Sequence, residues 1–141
     1  MELNQWEIMK LSVKAKYGLT ACINLAEHYE KGNLTVSQLS GKVGTTDKFL
    51  EQIMAMLKKA EVVSSTRGAF GGYTLTKSPK ETTVGQILRA VEDNLQIIDC
   101  MGAECKCNEP CSSQVVWVSL QKTINDYLDS ITLDSLIKGE K

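Results

Sequence analysis

With 141 residues and a net charge of −1, the chain has room for one domain with a modest core and is not basic throughout. Apolar residues make up 43% and prolines number only two, which excludes a disordered chain, and no apolar run approaches the roughly 20 residues of a membrane span. The start of the chain lacks the apolar stretch of a signal peptide, so a cytoplasmic protein is expected, whose thiols serve metals or redox chemistry more readily than structural disulfides.

Residues 1–8 precede a second methionine, Met9, without periodicity, and read as an upstream extension or an alternative start. From Ser12 to Glu30, Leu19, Cys22, Ile23, Ala26 and Tyr29 fall at helical spacing, and Lys31-Gly32-Asn33 supplies the chemistry of a helix end. Cys22, on that apolar face, reads as a buried hydrophobe, and His28 as a plain surface residue of the same helix. Thr35 caps a short second helix, Val36–Val43, closed by Gly44. Thr45-Thr46-Asp47 opens a third helix that runs to about Ala60, with Glu51 placed to answer the cap. Its core stripe is Leu50, Ile53, Met54 and Leu57; the opposite stripe is Lys48, Glu51, Gln52, Ala55 and Lys59.

Two short β-branched or aromatic runs, Val62–Thr66 and Tyr73–Thr76, flank Arg67-Gly68-Ala69-Phe70-Gly71-Gly72 and predict a hairpin ended by Ser78-Pro79. Thr83–Asn94 predicts a fourth helix burying Ile87, Leu88 and Val91. Val116, Leu120, Ile124, Tyr127 and Ile131 mark a final long helix, and Thr132-Leu133-Asp134 starts a short one.

Helix, short helix, glycine turn, longer helix and hairpin follow one another as in a winged helix-turn-helix, whose third helix enters the major groove of DNA while the hairpin meets the backbone or minor groove. Gln52 can pair bidentately with adenine, Glu51 can accept from cytosine, and Lys48 can reach guanine or phosphate. Arg67 is a natural minor-groove probe, and the turn glycines Gly68, Gly71 and Gly72 are expected to supply positive φ and a close approach to the DNA backbone. Residues 1–80 carry a net +4 and residues 81–141 a net −5, so a polyanion-binding part is joined to one with another task. The fold class expected is mainly α with a small β-hairpin wing. Residues 9–80 form the winged helix-turn-helix, and residues 81–141 hold a cysteine loop and further helices.

That loop carries Cys100, Cys105, Cys107 and Cys111 within twelve residues. Such density suits an iron–sulfur or metal site, a disulfide staple or a thiol switch. Zinc is disfavoured because the spacing lacks two separated C-x₂₋₄-C units. A single histidine and the lack of any nucleophile–base pair leave nothing on which to build catalysis, so no enzyme is expected. A cluster carrier or electron-transfer protein without DNA contact is the reading from another class.

The chain resembles the IscR/NsrR/CymR-type winged-helix transcription regulators of bacteria from Met9 to Leu136. The resemblance is carried by the opening Met-Lys-Leu-Ser-Val-Lys-Ala-Lys-Tyr-Gly-Leu-Thr, by Phe-Leu-Glu-Gln in the third helix and by Arg-Gly-Ala-Phe-Gly-Gly-Tyr in the wing. Val-Gly-Gln-Ile and Ile-Thr-Leu-Asp-Ser-Leu add to it further on. It implies a homodimer, paired through the long C-terminal dimerisation helix, that grips a partly palindromic double-stranded operator, most often as a repressor. It implies base reading by Glu51 and Gln52, a minor-groove contact by Arg67, and backbone or groove contacts by Lys14, Tyr17, Thr46 and Lys48. It also implies an iron–sulfur cluster held by three loop cysteines. Cys100, Cys105 and Cys111, with gaps of four and five residues, fit better than a set with Cys107 in the middle, with gaps of six and three. Where some relatives place a further histidine ligand this chain has Gln114, so Cys107 or a group of the other subunit is left as the fourth ligand. A two-iron cluster is favoured and a four-iron one is compatible. A thiol- or zinc-based regulator of the same fold, or a member that has lost its cluster and binds a partner enzyme, are the remaining alternatives.

Overall fold

The computed structural model describes residues 11–92, 95–97 and 112–139; the predicted ligand cysteines Cys100, Cys105, Cys107 and Cys111 lie outside the described residues. Helices α1 (Val13–Glu27), α2 (Val36–Val43) and α3 (Asp47–Lys59) are followed by strands β1 (Val63–Thr66) and β2 (Gly72–Leu75), a 3₁₀ turn at Pro79–Glu81, and helices α4 (Val84–Val91), α5 (Gln114–Ser130) and α6 (Leu133–Ile137). The fold is mainly helical with one antiparallel hairpin, in the register Val63↔Leu75 to Thr66↔Gly72.

Each start signal has a local cause. Thr35 with Gln38, and Thr83 with Gln86, form reciprocal capping boxes at α2 and α4, and Thr132 caps α6. Gly44 closes α2 in the left-handed conformation, with φ 89°. At α3 the expectation needs correction. Thr46 accepts from the amide of Phe49, the third helical residue, so the position that would return the bond is an aromatic, and Glu51 lies two residues too late to cap. Helix α1 ends at Glu27 rather than Glu30, because Glu30 itself turns left-handed at φ 67° before Gly32 is reached. Helix α4 ends at Val91, where Glu92 leaves the helix in extended conformation; Asp93 and Asn94 lie outside the described residues.

One core joins these elements. Leu50, Ile53, Met54 and Leu57 of α3, Ala21, Cys22 and Leu25 of α1, Ile87 and Val91 of α4, and Leu133 of α6 are buried in a single cluster. Helix α1 passes through the middle of it, so it buries Ala15, Gly18, Ala21 and Leu25 besides the expected Cys22 and Ala26, while Leu19, Ile23 and Tyr29 are only half-buried. The buried area is ample: each fully buried leucine or isoleucine stabilises the fold by about 1.5–3 kcal/mol relative to exposure.

Helix α5 behaves differently and buries no residue. Its Leu128, with Ile131 just beyond, packs on Ala15, Val84 and Leu88. Arg89 of α4 forks onto Asp129 at 2.7 and 3.1 Å. Thr83 and Thr132 form a backbone bridge, with Val84 N donating to Ile131 O and Leu133 N to Thr82 O, both at 2.9 Å. The expected apolar stripe of this helix is therefore split. Ile124 and Ile131 turn toward the body of the fold, whereas Val116, Leu120 and Tyr127 are exposed. Among the described residues no helix is long and apolar enough to cross a membrane.

Candidate nucleic-acid interface

The buried and exposed faces of α3 are cleanly separated. Leu50, Ile53, Met54 and Leu57 have no exposed surface, while Lys48, Glu51, Gln52, Ala55 and Lys59 are all exposed on the other side. Donors, acceptors and a small residue thus share one solvent face of a helix anchored on a rigid core, which is the arrangement that base-edge reading in a major groove requires.

The turn that aims α3 is fixed by side chains that periodicity did not single out. Asp47, the first helical residue, accepts hydrogen bonds from the hydroxyls of Ser37, at 3.0 Å, and Ser40, both on α2. A carboxylate in the first turn also matches the positive end of the helix dipole. The α1 side is held by Tyr17, whose ring meets that of Phe49 edge to face at 86° with centroids 5.9 Å apart. Tyr17 is half-buried by this packing, and Lys16 places its ammonium 5.8 Å from the Tyr17 ring centre. Lys14 lies one turn before Tyr17 on α1, half-buried, and Thr46 is exposed with its hydroxyl engaged in the α3 cap. Tyr17 and Thr46 thus both engage Phe49 in the first turn of α3, one through its ring and the other through its amide.

The hairpin is tied to this unit. Leu34, just before α2, donates its amide to Tyr73 O at 3.0 Å and accepts from Tyr73 N at 2.7 Å, and the Asn33 amide donates to Phe70 O at 2.9 Å. Leu34 so acts as a short third strand beside β2. Arg67 is exposed where the turn leaves β1. Two of the glycines assigned to a DNA approach have a cause inside the fold. A Cβ on Gly72, where φ is 134°, would lie 2.5 Å from Leu34 O, and one on Gly71 would collide with the carbonyl oxygen of Thr66. Gly71 does not take positive φ; Gly68, at 107°, does.

Two further anchors frame the cysteine segment. Glu92, at the exit of α4, accepts from the backbone amide of Ser12 at 2.9 Å and from its hydroxyl at 2.6 Å, and so caps α1 from 80 residues away. The Gln121 side chain of α5 donates to Leu95 O at 3.1 Å and accepts from Ile97 N at 2.9 Å, the pairing that a neighbouring strand would provide. No local pattern signals either contact; the one hint is that Ser12 opens a helix whose first turn contains no acidic residue.

Among the described residues no group of three or more metal-binding side chains is gathered. Cys22 is wholly buried and its thiol is pushed up to about 12 by desolvation, which removes it from thiolate chemistry.

The comparisons agree with this architecture. A family model described as "Rrf2: Iron-dependent Transcriptional regulator" matches residues 11–139. The HTH-type transcriptional regulator IscR of Pectobacterium carotovorum subsp. carotovorum is 34% identical over 134 residues, covering 94% of this chain and 82% of that protein. Among solved structures, IscR of T. potens aligns with a TM-score of 0.76 at 35% identity, over 92% of this chain and 87% of the other. CymR, titled the global cysteine regulator of B. subtilis, aligns with a TM-score of 0.79 at 30% identity, over 94% and 98%. The interface built by α3 and the hairpin is that of a DNA-binding transcription regulator rather than an electron carrier or an enzyme, and the chain belongs to the Rrf2 family.

Proposed function

We propose that the protein is a cytoplasmic, homodimeric repressor whose grip on a double-stranded operator depends on an iron–sulfur cluster, and that it responds to cluster, redox, nitric oxide or iron status. In this reading residues 9–80 are the reading head and residues 81–141 sense and pair. Glu51 and Gln52 read base edges, Arg67 enters the minor groove, and Lys14, Tyr17, Thr46, Lys48 and the wing backbone at Gly71 and Gly72 meet the sugar–phosphate walls. Cys100, Cys105 and Cys111 would hold the cluster, with Cys107 available as a fourth ligand, which is compatible with a two-iron cluster first and a four-iron cluster second. The donor set suits the group: four thiols fall within twelve residues, and thiolates are the usual ligands of such clusters. When bound, the cluster supplies a redox- and ligand-sensitive link between the thiols of one loop.

The observation that carries the sensing part is the framing of the cysteine segment. On one side Glu92 holds the first residue of the α1 cap; on the other the chain enters α5 at Gln114, after Gln121 has fastened Leu95 and Ile97 to the same helix. A change in how that segment is ordered therefore acts on both the helix that presents Lys14 and Tyr17 and the helix proposed to pair the subunits. Operator half-sites are spaced by one helical turn or a multiple of it, so a small change in that pairing has a large effect on affinity.

Operator affinity of anaerobically reconstituted protein is compared with that of Cys100→Ala, Cys105→Ala and Cys111→Ala. The expected outcome is a change of about 10-fold or more in each variant, within the usual range of coupling between sites. Equal affinity across the set removes cluster dependence and leaves DNA binding standing. A colourless, iron-free product after reconstitution removes the cluster itself and favours zinc or thiol chemistry in the same loop.

A further inference from the structure

Phe70 is the most exposed large apolar side chain of the described residues, 91% accessible at the tip of the hairpin turn. Its backbone is nonetheless held, because the Asn33 side-chain amide donates to the Phe70 carbonyl at 2.9 Å and the Leu34–Tyr73 pairing fixes the strand three residues on. The turn needs nothing from the ring. Positive φ is taken by Gly68 and Gly72, not by Phe70, and a small polar residue would serve an exposed turn at least as well. The ring is thus placed by the fold and contributes little to it. Three residues earlier Arg67 is exposed on the same turn, so the turn carries both a cation and an apolar ring to solvent.

We propose that Phe70 is an apolar minor-groove wedge: its ring packs between the sugar walls of the groove beside the Arg67 guanidinium and contributes to operator affinity through burial rather than charge. This rests on the reading that the wing enters the minor groove. Apolar side chains inserted beside basic ones are a recurrent device of minor-groove binding, and leucine or methionine can replace phenylalanine in that role. An apolar contact releases no counterions, whereas each cation–phosphate contact steepens the dependence of binding on salt.

The two contributions separate in one experiment. Binding of wild type, Phe70→Ala, Phe70→Leu and Arg67→Ala to the operator is measured from low to moderate salt, with thermal unfolding of each protein. Phe70→Ala is expected to bind about 10- to 100-fold more weakly, the loss that removing one buried aromatic side chain brings. Its slope of log K against log salt and its unfolding temperature stay at the wild-type values. Phe70→Leu is expected to retain most of the affinity, while Arg67→Ala flattens the slope. Wild-type affinity in Phe70→Ala, or a loss accompanied by a changed slope or a lowered unfolding temperature, overturns the wedge. Failure of the wild type to bind any duplex would instead strike the regulator reading itself.

Discussion

Cys22 shows how much of a side chain's chemistry is decided by what encloses it. It lies between α1 and the buried faces of its neighbours, with no exposed surface, and desolvation raises its thiol from 9.0 to about 12. In a variant with the four loop cysteines replaced by serine, this single remaining thiol is expected to ignore a thiol reagent at pH 8 until denaturant is added. Rapid labelling in native buffer would show that the core opens there. The sign of the pH dependence follows from the raised value. The contribution of this group is complete below about pH 9 and is lost as pH rises toward 12, so over that range stability should fall less, relative to its own value at neutral pH, in Cys22→Ala. Burial here was readable from the sequence because Cys22 shares helical spacing with Ala26. Leu25 and Ala21 were not, because a single-stripe pattern describes a helix covered on one side, and α1 is covered by α3, α4 and α6 together. At Gly71 and Gly72 residue type was informative and its cause was not: the close approach is to Thr66 and Leu34, and sequence does not say which backbone comes near.

The helices and strands themselves were largely foreseen, because caps and breakers are local: Thr35, Gly44, Thr83 and Thr132 all stand where they were expected. What joins one element to another was not, since partners such as Ser12 and Glu92, or Arg89 and Asp129, are separated by 80 and 40 residues. The Glu92 cap is open to a direct test. It satisfies an amide at the start of α1 and opposes the dipole of a helix that has no acidic residue in its first turn. Glu92→Ala is expected to lower stability by about 1 kcal/mol, the usual worth of a helix cap, and to weaken operator binding because Lys14 and Tyr17, proposed to contact DNA, belong to the freed end. Glu92→Gln, which keeps an acceptor, should fall between. Urea unfolding measures the first effect and duplex titration the second; unchanged values in Glu92→Ala would mean that water replaces the carboxylate at no cost.

Helix α5 presents Val116, Leu120 and Tyr127 outward in steps of four and seven, with Tyr127 65% exposed and Val115 and Val118 beside them. A face of this kind is matched by a copy of itself in two-fold assemblies. On the proposed pairing through α5, the double change Leu120→Glu and Tyr127→Glu is expected to yield a monomer by sedimentation and to cost at least about 100-fold in operator affinity, since two linked half-site contacts would become independent. A dimer that survives both charges would place the pairing surface elsewhere. The Val84–Ile131 and Leu133–Thr82 backbone bonds, with Leu128 and Asp129, fasten the second half of α5, and Gln121 holds its middle, whereas residues 114–116, where the chain arrives from the cysteines, are exposed. The helix is therefore a cantilever, rooted mainly on α4 and exposed over its first turn. Its 17 residues make an arm of about 25 Å. On the proposed sensing role, a few ångströms of rearrangement at that exposed end would act through the arm as a lever on α4, and so on α1 and α3, against which α4 packs.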